Sequence, residues 1–452
     1  MAEVTRLSNG IKIALEHLPY LRTVSFGVWV RIGSAGETKS NNGISHMIEH
    51  MLFKGTHNRS AKEIADLTSS IGDDVNAFTS KEVTCYYGST VTEFLPTLID
   101  LIADMLQESS FNENDIRKEK RVICDEIDMY EDSPEDLVHE LLQQRIFKDQ
   151  SLGYIISGNK TVVRNFTKQQ LLSFMKLHYT ADNMIISVAG NFDKNDLIKL
   201  LEEKFKNIPR GSKKASNVAN AIKKQQEIRL EPYQAKYEHM NAKNQVLYHN
   251  CFCTKHKEIE QLHINLAFPA ISIHSSKNDI FSIFNSILGG SNNSRLFQKI
   301  REDLGLAYSI YSYGSSFDMA GLFHIDITIN PSQADAVLGA VDEVLKDIRD
   351  HGITKEELET HKAQVITEFI MSSESAKSRM NSNAKSLMIR GRIRTLDEAL
   401  EGLKKVTLED INLFAKQILD MEKLSICLVG PKTGNSFTRI KKKWLQMKED
   451  KL

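Results

Sequence analysis

The 452-residue chain has 58 Lys plus Arg against 59 Asp plus Glu, with 41% hydrophobic and 26% charged residues. That balance is ordinary for a globular protein and excludes the basic field that tracks nucleic acid. At roughly 100–200 residues per domain the length predicts two to four units, and no apolar run approaches the ~20 residues of a membrane span.

Five cysteines (Cys85, Cys124, Cys251, Cys253 and Cys427) are too few and too scattered for a disulfide framework. The opening MAEVTRLSNGIKIALEH lacks the apolar stretch of a secretory leader and the Arg/Ser richness of a transit peptide. Both observations predict a cytoplasmic protein.

In chain order, Ile11 to Glu16 and the alternating Val24, Phe26, Val28, Val30 predict strands. GISHMIEHMLF at 43–53 has apolar residues at helical spacing, and Gly55-Thr56 stops it. Ser60-x-x-Glu63 is a capping box that opens a second helix. Val75–Thr79 and Val83–Val91 predict two strands joined through Ser80-Lys81. Asn112-x-x-Asp115 starts a long helix to about Tyr130, with Pro134 at its end. Strands interleaved with helices imply α/β or α+β layers.

The lysine-rich stretch RGSKKASNVANAIKKQQ at 210–226 reads as a linker between halves of similar length. The halves repeat one another. Thr167–Phe174 matches Thr407–Phe414 at an offset of 240, and the same offset sets Met184, Ile186, Val188 and Gly190 on Leu424, Ile426, Leu428 and Gly430. At an offset of 242, Glu113–Met129 matches Lys355–Met371, with Ile116 on Leu358 and Glu126 on Glu368. Two copies of one α+β domain explain these offsets. The expected division is 1–212 for the N-terminal domain, 213–228 for the linker and 229–452 for its C-terminal homologue. The second copy has no histidine counterparts, since 284–294 reads FNSILGGSNNS.

His46 and His50 stand four apart, so on a helix both imidazoles project from one face. That spacing lets two nitrogens reach one Zn²⁺ at about 2.0–2.1 Å. Glu49, beside His50, can face the same cavity and take a proton from water that zinc acidifies toward a pKa of ~7. The order is H-x-x-E-H, the inverse of H-E-x-x-H. The bland alternative is a helix with two surface histidines. A catalytic zinc takes a third protein ligand, and the long helix offers Glu119 and Glu126, two turns apart on one face. Spacing alone leaves the choice between them open.

HMIEHMLFKGT, then NAFTSKEVTCYY, then EKRVICDEIDMYEDSP together resemble the M16 family of inverzincin metallopeptidases, in particular its processing-peptidase branch and bacterial relatives of similar length. The likeness covers both halves and is strongest over 24–158. It implies Glu126, 76 residues after His50, as the third ligand of one zinc per chain, and Glu119 as the supporting acid. It implies that Asn76-Ala77-Phe78-Thr79 lies on an edge strand that pairs with extended substrate, and that Arg301 and Tyr308 reach bound substrate from the second half. It also implies two homologous α/β-sandwich domains in tandem, half of a clamshell that a second copy or a related subunit completes around an unfolded peptide.

Departures from the family pattern are Asp73-Asp74 where small residues are common, and Asp125 where glutamate is. The glycine-rich loop of the non-catalytic processing subunit is missing. Retained ligands favour an endopeptidase over the rival reading, a non-catalytic scaffold like the M16-type core subunits of a respiratory complex. A metal-storage module is a weaker third reading. His249, Cys251, Cys253 and His256 lack zinc-finger spacing and read as packing.

Overall fold

A computed structural model describes residues 2–211, 246–432 and 436–449; the expected linker at 213–228 lies outside them. The strands are β1 Glu3–Arg6, β2 Lys12–His17, β3 Thr23–Val30, β4 Val75–Thr79, β5 Thr84–Val91, β6 Met184–Gly190, β7 Phe252–His256, β8 Leu262–Ala270, β9 Ala307–Ser316, β10 Gly321–Ile329 and β11 Ser425–Gly430. The helices that matter most below are α1 Ile44–Leu52, α2 Ala61–Ser70, α3 Leu95–Glu108, α4 Glu113–Asp132 and α5 Pro134–Ile146.

Among the described residues these strands form two mixed sheets, in the orders β1-β2-β6-β3-β5-β4 and β7-β11-β8-β10-β9. The orders superimpose: β7, β11, β8, β10 and β9 occupy the places of β2, β6, β3, β5 and β4. Each sheet has one parallel pair, β2 with β6 and β7 with β11, and the other pairings are antiparallel. The offset that aligned the sequences of β6 and β11 is therefore a repeat of topology. Two antiparallel-rich sheets with helices layered on them make the α+β fold expected.

Local signals act as anticipated at the turns. The Ser60–Glu63 capping box closes the start of α2, and Thr167 with Gln170 and Thr407 with Asp410 form the same device on the two repeat helices. Pro134 does more than end α4. With Ser133 as N-cap it is the first residue of α5, where a missing N–H costs nothing.

The chain divides into two compact units, each drawing a segment from the other half of the sequence. Of the described residues, the first contains 2–127, 154–211 and 371–395; the second contains 128–153, 246–370, 396–432 and 436–449. The units therefore differ from the continuous halves 1–212 and 229–452. The reason lies on the sheet faces. In the first unit one face carries the main core, with Phe26, Val28, Met47, Ile48, Leu98 and Ile102 fully buried. The opposite face is covered by the helix Ala376–Arg390, whose Met380, Ala384 and Leu387 meet Trp29, Cys85, Ala189, Ala14 and Ile185. That helix is pinned by a buried charge. Arg379 and Asn383 both donate to Glu16, which is 1% exposed. In the second unit α5 takes the same role against β8 and β11. There His139 Nε2 lies 2.7 Å from Asp326, and Asn265 donates to Asp326 at 2.8 Å. Pro134 and Ala376, the first residues of the two covering helices, are 242 apart, the offset found in the sequence.

Candidate metal centre

Helix α1 forms because Ile44, Met47, Ile48, Met51 and Leu52 bury one stripe, each worth about 1.5–3 kcal/mol in water removed. That stripe fixes the rotation of the helix and so aims His46, Glu49 and His50. Its first turn is held by Glu37, whose carboxylate accepts from the backbone N–H groups of Gly43 at 2.7 Å and Ser45 at 2.9 Å, and from the Asn42 amide at 2.9 Å. An acid here meets the positive end of the helix dipole. Burial nonetheless pushes the Glu37 carboxyl up, with these donors pulling it down. Gly43 has φ +96°, and a Cβ would sit 2.8 Å from Gly158 Cα and from the Ser157 carbonyl, so glycine is required.

Helix α4 supplies the carboxylates. Ile116, Ile123 and Ile127 bury its inner stripe together with Glu119. Glu126, seven residues on, shares that face. Its Oε1 lies 3.7 Å from His46 Nε2 and its Oε2 lies 3.5 Å from His50 Nε2. His50 Nδ1 is 3.1 Å from Glu119 Oε2, and Lys54 Nζ is 2.8 Å from Glu119 Oε1. The two imidazole rings are 4.6 Å apart, edge to face.

The electrostatics separate the two histidines. Burial, then the neighbouring His50, lowers His46 to about 4, so it is a neutral nitrogen donor. Burial also acts against a charged His50, but Glu119 and Glu126 outweigh it and raise His50 to about 9. Both His50 nitrogens face carboxylates, which makes this a cation-seeking place. Glu119 is held below its ordinary value despite burial, because His50 and Lys54 bond to it. His46 Nδ1 is buried with no hydrogen-bond partner among the described residues.

One ligand atom each from His46, His50 and Glu126 lie within 4.8 Å of one another, and among the described residues they make the group of His, Cys, Asp and Glu side chains able to hold a metal ion. Two imidazole nitrogens and one carboxylate oxygen suit Zn²⁺ and leave a coordination position open. The Glu49 carboxylate accepts from the Thr79 hydroxyl, and burial pushes its pKa up against that bond.

The remaining predicted residues lie as follows. Asn76, Ala77 and Phe78 are on β4, the edge of the six-stranded sheet; Ala77 packs on the core and Phe78 is 40% exposed. The Asp73-Asp74 departure is a tight turn, with Asp73 at φ +57° and Asp74 bonded to Lys377 at 3.0 Å. Arg301 belongs to the second unit, in the π-helical turn Phe297–Asp303, its guanidinium 4.9 Å above the Phe297 ring. Tyr308, 58% exposed, is the second residue of β9 at the edge of the second sheet. Of the cysteine cluster, Cys253 Sγ donates to the Ile426 carbonyl at 3.6 Å, and His256 bonds to Glu258.

Sequence reasoning missed Glu37 and Lys54, and it placed Thr79 on the edge strand without its bond to Glu49. Lys54, four residues after His50, had a helical-spacing signal. Glu37 and Thr79 had none, because their contacts exist only once the loop before α1 and strand β4 have folded against the helix.

Comparison with known proteins gives the family. Residues 12–160 match the family described as insulinase (peptidase family M16), and 165–365 match the M16 inactive domain. The Bacillus subtilis protein named uncharacterized zinc protease YmxG is 39% identical over 427 residues, covering 94% of this chain and 97% of its own. Among solved structures, one described as a peptidase M16 inactive domain from Pseudomonas fluorescens superimposes with a TM-score of 0.83 at 18% identity, over 96% of this chain and 98% of that one. A chain of complex III2 from Candida albicans gives 0.78 at 18%, over 98% and 99%. The class is that of two-repeat metallopeptidase folds. This chain belongs to the M16 zinc protease family.

Proposed function

We propose that the protein is a zinc endopeptidase that cleaves unfolded peptides or presequence-like segments. The observation that carries this reading is the convergence of His46, His50 and Glu126 to within 4.8 Å, with Glu49 on the same helix. One zinc per chain would be held by those three side chains, where it supplies Lewis-acid polarisation and lowers the pKa of water. Glu49 takes a proton from the attacking water and returns it to the departing amine. Glu119 orients His50 through Nδ1. The free edge of β4 at Asn76, Ala77 and Phe78 pairs with substrate backbone, which holds a carbonyl in place with little regard to side chains. Arg301 and Tyr308 are assigned to substrate binding in the second repeat. The working form is a pair of chains, two copies of this one or this one with a related subunit, in the cytoplasm.

The rival is a non-catalytic scaffold, favoured by the fold likeness to a complex III2 chain. One substitution separates them. In Glu49→Gln, purified protein should keep stoichiometric zinc by elemental analysis while turnover of a mixed peptide library falls at least ~100-fold. Cleavage of that library at the wild-type rate by Glu49→Gln would refute the assignment of the base. Wild-type protein without zinc or cleavage would favour the scaffold.

A further inference from the structure

Thr79 is the last residue of β4 and the first before the turn into β5, where it pairs with Thr84. Its hydroxyl has two neighbours, Glu49 Oε2 and, at 3.5 Å, Thr84 Oγ1. The Thr84 proton is already used, donated to the Ile32 carbonyl at 2.9 Å. A carboxylate can only accept. The Thr79 proton therefore goes to Glu49 Oε2, and the direction of the bond is fixed by the residues behind it.

We propose that Thr79 is a positioning residue for Glu49: it ties up Oε2 and leaves Oε1 as the oxygen that receives and returns the proton. This rests on the reading of Glu49 as general base. In the step, an O–H bond of the attacking water breaks, its proton bonds to Oε1, and the water oxygen bonds to the scissile carbonyl carbon. The same proton then passes from Oε1 to the amide nitrogen as the C–N bond breaks. Oε2 keeps its hydrogen bond throughout, so the carboxylate does not rotate between accepting and delivering. Because Thr79 closes the strand whose free edge is assigned to substrate, the base is braced by the element that the peptide would dock on.

The test uses Thr79→Val, which keeps a β-branched residue in the strand, and Thr79→Ser, which keeps the hydroxyl. Losing a hydrogen bond to a charged group predicts that Thr79→Val lowers kcat roughly 10–100-fold, with KM and zinc content unchanged. Thr79→Ser should recover most of that loss. Peptide affinity, read by fluorescence anisotropy in turnover-deficient Glu49→Gln, should be the same with and without Thr79→Val. A wild-type kcat in Thr79→Val, a loss carried by KM or peptide affinity, or an equal loss in Thr79→Ser would each overturn the role of Thr79. Those outcomes leave the base assignment standing if Glu49→Gln is inactive. An active Glu49→Gln overturns both.

Discussion

Two helix pairs, one in each repeat, are built on the same plan and differ in what crosses between them. In the first, α1 carries His46-Met-Ile-Glu49-His50. In the second, the helix Asn278–Leu288 carries Ser282-Ile-Phe-Asn285-Ser286. Setting buried on buried, Met47, Ile48, Met51 and Leu52 coincide with Ile283, Phe284, Ile287 and Leu288. The partner helices α4 and Lys355–Ser373 align at the offset of 242, which sets Glu119 on His361. Where Glu119 bonds to His50, His361 bonds through Nδ1 to the hydroxyl of Ser286 at 2.9 Å. The packing positions are kept, and so is the acid at Glu126, matched by Glu368, but the two histidines give way to Ser282 and Ser286. A core tolerates any apolar residue of about the right size, whereas a metal site needs particular donors.

The sharpest break of this comparison is a pair of histidine substitutions, one in each helix pair. His50→Ala should lose zinc altogether by elemental analysis. His361→Ala should leave the zinc content at the wild-type value, its cost confined to about 1–3 kcal/mol from an unsatisfied Ser286. Equal zinc loss in both would mean that the repeats are not distinct in function.

A smaller effect is expected behind the first sheet. Arg379→Ala strands the Glu16 carboxylate, 1% exposed, and should cost about 3–5 kcal/mol in denaturant unfolding of the first unit. A loss under 1 kcal/mol there would mean that Asn383 alone satisfies Glu16.

The smallest effect concerns the partner helix of the second repeat, where Glu357 in its first turn takes part in an ion pair. Arg295 bonds to Glu357 at 2.6 Å and to Asp347 at 2.7 Å. Burial opposes the charge on Glu357, but Arg295 and the Thr354 N–H and hydroxyl outweigh it and hold the carboxyl at about 2. A depressed carboxylate stabilises the fold above its unfolded pKa near 4.5, and that contribution is lost as pH falls through about 2. With partial exposure discounted, Glu357→Gln should cost about 1–3 kcal/mol at pH 7, and the difference from wild type should shrink steadily below about pH 4. A deficit that stays constant with pH would show that Glu357 acts through packing alone.

Much of the first helix pair could be read before folding. The spacing of His46, Glu49 and His50 is local, set by 3.6 residues per turn, and the two-turn interval from Glu119 to Glu126 is equally local. Which of those acids meets His46 required the family resemblance, because both lie on one face. Glu37 and Thr79 are different in kind. Each reaches the helix from a loop or strand whose course depends on the whole sheet, so no spacing rule points to it. The repeat was visible in its offsets, yet the covering helices were not assigned to sheets. The apolar stripe of α5 or of Ala376–Arg390 says that one side is buried but not against which sheet.

That crossed arrangement has a consequence for how such a chain could arise. A protein of a single repeat length would leave the back of its sheet bare unless a second molecule lent the missing helix, and would lend its own in return. Such reciprocal exchange is domain swapping. Joining the two genes end to end would then fix the trade within one polypeptide, and the N-terminal half expressed alone would again need a stranger's helix to cover Trp29 and Ile185.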